Sequence, residues 1–181
     1  MAFYSNWFGK GGDSVKTGAQ NPMPTTPTVV KDFDVAMTQS AFWASVRLLT
    51  ETVAAMPLVC FESDAATTVK QPNRYQTRIE FFESMMLNLV TWGNAYMTVE
   101  RLAGRIVSFI VLPSSQTEAM LLADGSIVYQ YSDANNNVKV FSEDSIWHVK
   151  IFGNGIVGLS PLGYAGNTLG LSKDLAARQG K

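Results

Sequence analysis

The sequence predicts an α+β fold, with helices packed on short antiparallel strands and a further helix at the C-terminal end. In residues 38–56 and 77–93, apolar residues recur every three or four positions, which is the period of a helix. After Gly93 the period changes to two, and the turns Ala103-Gly104 and Asp124-Gly125 separate the strand-like segments. Runs of helices followed by runs of strands are typical of this class.

The first segment, residues 1–33, is predicted to be a flexible N-terminal arm, because it is rich in Gly, Pro, Ser and Thr and lacks apolar periodicity. Four aromatic residues stand out in it: Phe3, Tyr4, Trp7 and Phe8. Such a cluster either docks on a partner or packs on the chain's own domain. The sequence leaves both interpretations open.

The first helix is predicted from Thr38 to Met56, and Pro57 ends it because proline disfavours a helical residue before it. The residues expected to form its apolar stripe are Phe42, Val46, Leu49, Val53 and Met56. The next residues, 57–62 (PLVCFE), are expected to form a strand.

A second helix is predicted to begin after Thr77, because Glu80 three residues later completes a capping box. Gly93 is expected to end this helix in the left-handed conformation. The predicted apolar stripe of the helix comprises Ile79, Phe82, Met86 and Leu89.

Strands follow in pairs separated by turns. The expected strand segments are 94–102, 105–113, 117–122, 126–132, 138–141 and 145–152, with a turn at 133–137. Ser160 followed by Pro161 is typical of a helix start, since serine caps the helix and proline tolerates the first position. The last helix is therefore expected from Pro161 to the end of the chain.

Glycines at 153, 155 and 158 have the spacing G-x-G-x-x-G, which occurs in dinucleotide-binding loops. In such a loop the helix opens within the glycines, and an acidic residue follows on a second parallel strand about 20 residues later. Here the predicted helix begins after the glycines, and no second strand follows them. We interpret the glycines as a turn, with a nucleotide-binding enzyme as the alternative.

Composition limits the kinds of chemistry that the chain can carry, and nothing in it indicates an enzyme. The chain has 181 residues, 46% hydrophobic content and a net charge of −1, which suits one domain with a core but not the basic face of an independent nucleic-acid binder. Cys60 and His148 are the single residues of their kinds, so neither a disulfide, a metal site nor a Ser-His pairing is expected. We expect no catalytic residue and no cofactor. We also expect a soluble chain without a signal peptide or a membrane-spanning helix.

A series of short motifs occurs in a fixed order along the chain. They are Met56-Pro57-Leu58, Pro72-Asn73, Gly93-Asn94-Ala95-Tyr96, Leu112-Pro113, the strand IWHVKIF and Gly158-Leu159-Ser160-Pro161-Leu162. From about Ala41 to the end, this series resembles the portal proteins of tailed bacteriophages, in the family named after phage HK97. The framework residues carried over from the resemblance are Pro57, Pro72, Asn73, Gly93, Asn94, Tyr96, Gly158, Ser160 and Pro161.

The resemblance implies a ring, usually a dodecamer, at one vertex of the virion capsid. Double-stranded genomic DNA passes through such a ring during packaging and ejection without sequence-specific binding, and the ring itself hydrolyses nothing. The implied partners are further copies of the chain, the major capsid protein, the terminase and the head–tail adaptor, with no membrane. Assembly is expected in the host cytoplasm. The alternative is another oligomeric virion or adaptor protein.

Two features depart from the family pattern. Portal proteins continue past the G-x-S-P-L helix, so residues 34–181 would supply the wing-like domain and the start of the stem helix. The stretch from Cys60 to Pro72 also looks too short for the helix that the family usually has before its P-N segment. No tunnel residue is assigned on this basis.

Overall fold

The computed structural model describes residues 29–59, 63–153 and 155–165, and its α+β class confirms the prediction. The helices are α1 (Val29–Thr38), α2 (Ser40–Ala55), α3 (Ser63–Lys70), α4 (Arg78–Trp92) and α5, of which residues 161–165 are described. The strands are β1 (Asn94–Leu102), β2 (Arg105–Leu112), β3 (Thr117–Leu121), β4 (Ile127–Ser132), β5 (Val138–Ser142) and β6 (Ile146–Lys150).

The strands form two antiparallel sheets of three strands each. The first sheet has the order β2-β1-β6 and the second the order β3-β4-β5. The turn at Ala103-Gly104 joins β1 to β2, and the turn at Asp124-Gly125 joins β3 to β4, as the sequence predicts. Short 3-10 helices, Ser114–Gln116 and Glu143–Ser145, carry the chain between the sheets.

Three apolar clusters hold these elements together. Helix α4 packs on the first sheet through Phe81, Met85, Leu89, Ala95, Met97 and Val111. Phe33 and Ala36 of α1 pack with Trp92 and Leu162, at the other end of α4. The third cluster joins the two sheets through Tyr96, Leu112, Tyr129 and Ile146.

Both predicted ends of α4 are confirmed. The Thr77 hydroxyl accepts a hydrogen bond from the Glu80 N–H, and the Glu80 carboxylate accepts one from the Thr77 N–H at 2.7 Å. Gly93 ends the helix with a φ of 73°, in the left-handed region that favours glycine. These signals are local in sequence, so the prediction needed no tertiary information.

The buried faces of α2 and α4 differ from the predicted stripes. In α2, Leu49 and Met56 are half exposed, and the buried residues are Val46, Thr50 and Ala54. In α4, Ile79 is 46% exposed, whereas Phe81 and Met85 are buried. Helix α4 packs against α2 on one side and the first sheet on another, so its buried surface is broader and rotated relative to a single stripe.

The predicted strand at 57–62 is wrong for the residues that the structure describes. Pro57, Leu58 and Val59 are irregular and exposed, while residues 60–62, with Cys60, lie outside the described ranges. Helix α3 follows, so the expectation that the short helix before Pro72-Asn73 is missing is also wrong. Its Thr68 hydroxyl donates to the Ile106 carbonyl of β2 at 3.1 Å, and this non-local contact is invisible in the sequence.

The predicted boundary of the N-terminal arm at residue 33 also needs correction. Helix α1 begins at Val29, and Phe33, only 6% exposed, stacks on Trp92 at a centroid distance of 6.1 Å. Phe33, Ala36 and Met37 have helical spacing, and α1 is stable because this face is buried. Residues 1–28, with the aromatic cluster, and 166–181, with the rest of the last predicted helix, lie outside the described ranges.

Candidate functional site

Most of the framework residues meet where α4 turns into β1. A Cβ at Gly93 would overlap the backbone carbonyl of Leu159. A Cβ at Gly158 would overlap the Gly93 carbonyl and lie 2.6 Å from the Ile151 oxygen. The glycines at both positions therefore allow two backbone segments, 64 residues apart along the chain, to touch. We call this place the Gly93–Gly158 junction.

The Asn94 side chain bonds to both sides of the junction. Its Nδ2 donates to the carbonyls of Trp92 and Gly158, both at 3.0 Å. Its Oδ1 accepts from the Gly158 N–H at 2.7 Å. The amide therefore satisfies both backbone groups of Gly158, and it also bonds to a carbonyl at the C-terminal end of α4.

His148 is the third member of the junction. Its Nε2 lies 3.0 Å from Oδ1 of Asn94, and because that oxygen is an acceptor, Nε2 carries the proton. Nδ1 then accepts from the Tyr129 hydroxyl at 3.4 Å, and the ring stacks on Tyr96 at 4.4 Å. Burial, and then the nearby Lys150 ammonium, lower the His148 pKa to about 4. The imidazole is neutral near pH 7 and bridges the two sheets, in agreement with the structural role predicted for it.

Tyr96 occupies the centre of the third apolar cluster. It is 2% exposed and makes an edge contact with Tyr129 at 5.7 Å. Burial raises the pKa of its hydroxyl, so the ring remains neutral. Its role here is packing, as befits a framework residue.

Ser160 and Pro161 form the predicted helix start. The Ser160 hydroxyl accepts from the Gly163 N–H at 3.1 Å and donates to the Thr91 carbonyl at 3.0 Å. The first bond caps α5, and the second fastens that cap to the last turn of α4. Leu162, 1% exposed, completes the attachment by packing beside Trp92.

A second node lies at Pro72 and Asn73. The Pro72 carbonyl accepts from the Phe109 N–H at 2.7 Å, and Asn73 Nδ2 donates to the Phe109 carbonyl at 2.9 Å. Asn73 Oδ1 accepts from the N–H groups of Tyr75 and Gln76, which fixes the turn before α4. Pro57 belongs to neither node, because it follows α2 on the exposed surface.

Sequence reasoning missed Asn88, which supports the junction from inside α4. Asn88 is 1% exposed; its Oδ1 accepts from the Ser114 N–H at 2.8 Å, and the Ser114 hydroxyl donates to the Asn94 carbonyl at 2.7 Å. The available signal was a polar residue within the apolar part of a helix. Such a residue is buried only when its hydrogen bonds are satisfied.

The glycine loop lacks the geometry of a dinucleotide site. It follows β6, an antiparallel strand, and α5 begins only at residue 161. The Gly158 N–H is engaged by Asn94, and the Lys150 ammonium donates to the Gly155 carbonyl at 2.6 Å. Backbone donors that would bind a pyrophosphate are therefore either occupied or outside a helix terminus.

Within residues 29–59, 63–153 and 155–165, no group of three or more His, Cys, Asp or Glu side chains could hold a metal ion. None of the helices in the same ranges is both long and apolar enough to cross a membrane. The polar atoms of the Gly93–Gly158 junction bond mainly to one another, so the junction stabilises the local fold.

Known proteins are similar to this chain in sequence and in fold. The portal protein of Enterobacteria phage HK97 is 33% identical over 156 residues, covering 77% of this chain and 36% of the relative. A chain in the virion of a native gene transfer agent particle has a TM-score of 0.77 at 26% identity, covering 90% of this chain and 46% of that chain. A chain in the neck of that type of particle, computed with C12 symmetry, has a TM-score of 0.74 at 26% identity, covering 83% and 43%.

The chain thus spans about a third of the curated relative and just under half of the solved chains. The family model described as "Phage portal protein" matches residues 40–181, from the start of α2 through both nodes to the last residue. This match confirms the resemblance that the ordered motifs predict, and the chain belongs to the phage portal protein family.

Proposed function

We propose that this chain is the wing-like part of a portal ring, a dodecamer at one capsid vertex through which double-stranded DNA is packaged and ejected. The observation that carries the proposal is the fold match over 90% of the chain to a protein of a gene transfer agent virion. The C12 symmetry of the related neck structure supports twelve subunits.

The exposed surface of α2 supports self-association. Trp43, Leu48 and Leu49 are 41%, 68% and 51% exposed on this helix. These side chains point in different directions around the helix, at about 100° per residue. Leu48 points away from the buried residues Val46, Thr50 and Ala54. In a ring, Leu48 would lie against the neighbouring subunit, and its burial would stabilise the assembly.

The electrostatic character of the chain supports passage of DNA without tight binding. The net charge is −1, so the wing offers little attraction for phosphates. Neither sequence-specific DNA binding nor hydrolysis is required of a conduit. The major capsid protein, the terminase and the head–tail adaptor are the protein partners that the proposal assigns to the whole ring, with assembly in the host cytoplasm.

The framework residues take a supporting role in this proposal. The Gly93–Gly158 junction fixes α5 relative to α4 and the first sheet, through Asn94 and Ser160. The predicted stem begins in α5. The junction would therefore determine the direction in which the stem leaves the wing.

Mass photometry of the full-length protein tests the proposal. We expect a species of twelve subunits that persists on dilution to nanomolar concentration. A matched variant, Leu48→Glu, places a charge on the exposed face of α2 and should shift mass towards the monomer without a change in the melting temperature. A monomer for the unmodified protein under all conditions would contradict the proposal.

The alternative of a nucleotide-binding enzyme rests on the glycine loop alone. Calorimetry with NAD, FAD and ATP tests this alternative directly. Micromolar binding that is abolished by Gly155→Ala would favour the enzyme, whereas we expect no heat of binding. Gly155 is the suitable site because an added Cβ there meets no atom within 4 Å.

A further inference from the structure

An apolar groove of about 320 Å³ opens beside the N-terminal end of α4. Its walls come from α3, α4, the first sheet and the residues after α2. The lining residues are Leu58, Val59, Thr68, Val69, Pro72, Phe81, Phe82, Ile106, Phe109 and Trp147. The groove lies beside the N-terminal end of α4, whereas Gly93 lies at the C-terminal end of that helix.

The groove has a buried floor and an exposed rim. Phe81 and Pro72 are almost fully buried at its base. Leu58, Val59 and Trp147 are 50%, 75% and 42% exposed at its edge. Thr68 contributes the one hydroxyl of the lining, and that hydroxyl already donates to the Ile106 carbonyl. The surface therefore favours an apolar occupant with no need for hydrogen bonds.

The aromatic residues of the lining favour an occupant that also has aromatic side chains. Phe109 lies 5.5 Å from Trp147 and 6.3 Å from Phe81 in tilted contacts, and Phe82 meets Phe81 edge-on at 5.3 Å. Aromatic rings add favourably to such clusters in edge or offset contacts. The volume is at the low end for ligand pockets, which suits inserted side chains better than a folded helix.

The chain carries a matching segment that the proposed function leaves without a role. Residues 3–8 (FYSNWF) contain four aromatic side chains on a segment poor in other apolar residues. Residues 9–28 separate these rings from Val29 and can span up to about 65 Å, at roughly 3.3 Å per residue. The two ends of α4, from Trp92 near α1 to Phe81 in the groove, are about 16 Å apart at 1.5 Å per residue.

We infer that residues 3–8 of one subunit dock in the apolar groove of the neighbouring subunit, with Trp7 and Phe8 as the anchoring side chains. A reach of up to about 65 Å for residues 9–28 is long enough for the segment to meet an adjacent copy of the chain in the proposed ring. This inference rests on the proposed ring, because docking between subunits requires a neighbour at a fixed position.

Disulfide cross-linking in the full-length protein tests the inference. Cys60→Ser removes the single native cysteine, after which Asn6→Cys, which keeps both anchoring rings, is combined with Val69→Cys in the groove. Under mild oxidation, we expect a ladder of multimers on a non-reducing denaturing gel. Cross-links should form at least about tenfold faster than in controls, because docking raises the effective concentration of the two thiols.

Two matched controls use positions outside the proposed contact. Ser14→Cys with Val69→Cys moves the first thiol off the aromatic segment, and Asn6→Cys with Lys139→Cys moves the second thiol to the exposed strand β5. A charge at the exposed rim, Val59→Glu, should slow the cross-link about tenfold at an unchanged melting temperature, because it opposes burial of the aromatic rings.

The outcomes separate this inference from the proposed function. A cross-link confined to single chains would show that the segment folds on its own domain and would overturn the inference. Rings seen by electron microscopy, with cross-linking no faster than in the controls, would overturn the inference alone and leave the groove to another occupant. Absence of rings in the unmodified protein would overturn both.

Discussion

Removing the Asn94 side chain is the sharpest perturbation of the Gly93–Gly158 junction. Asn94→Ala deletes the hydrogen bonds to Trp92, to both backbone groups of Gly158 and to His148. Each such bond contributes about 0.5–1.5 kcal/mol net, and the four together about 2–6 kcal/mol. Asn94 is half-buried, so water replaces part of the loss, and we expect the free energy of unfolding to fall by about 2–4 kcal/mol.

Asn94→Asp separates the donor from the acceptor part of this effect. The carboxylate keeps an acceptor for the Gly158 N–H and for His148, but it turns an oxygen towards the Trp92 and Gly158 carbonyls. Two donated bonds are lost and repulsion replaces them. We therefore expect a loss at pH 8 at least as large as that of Asn94→Ala.

Urea unfolding monitored by tryptophan fluorescence measures both variants. Asn135→Ala, in an exposed turn, is the matched control and should change stability by less than about 0.5 kcal/mol. If Asn94→Ala fell within the same range as this control, the hydrogen bonds at the junction would not contribute as the structure indicates. The role assigned to Asn94 would then be wrong.

Three further predictions concern the junction and its surroundings. Gly158→Ala should cost about 3 kcal/mol or more, because backbone carbonyls block its Cβ. Gly155→Ala should cost only about 1 kcal/mol, because its Cβ would enter open space and the cost comes from the positive φ alone. If urea unfolding showed equal losses of stability for Gly158→Ala and Gly155→Ala, the close approach at Gly158 would not have the effect that we predict. The His148 pKa lies below its unfolded value, so the unfolded chain binds the extra proton and stability falls as pH falls from 6.5 towards 4. Because the ring is partly exposed, we expect the free energy of unfolding to fall by about 1–2 kcal/mol between pH 6.5 and 5. If His148→Asn showed a similar dependence of stability on pH, His148 would not be its cause. Phe33→Ala should cost about 3 kcal/mol by thermal unfolding if α1 belongs to the domain, against a negligible change for exposed Asp34→Ala.

Features with local causes could be predicted from the sequence. The Thr77–Glu80 capping box, the left-handed Gly93, the hairpin turn at Asp124-Gly125 and the Ser160 cap each depend on residues within a few positions of one another. The order of the short motifs along the chain also indicated the protein family. These features therefore did not depend on knowledge of the tertiary packing.

Features with distant causes could not be predicted in this way. The face that α4 buries depends on both α2 and the first sheet, and a single-stripe pattern misplaced it at Ile79. The bond between Asn94 and Gly158 joins residues 64 positions apart, and Asn88 is satisfied by Ser114, 26 positions later. Helix α3 is only eight residues long, has Val69 as its one large apolar residue and packs against β2.

Electron microscopy of the full-length protein tests the central claim most directly. The account predicts rings with twelve-fold rotational symmetry and a central channel, in agreement with the C12 neck structure that contains a similar chain. In a reconstruction of such a ring, the fold of residues 29–165 should occupy the outer, wing position, with α5 directed towards the channel. Single particles without rotational symmetry, or a ring with this fold lining the channel, would contradict the account.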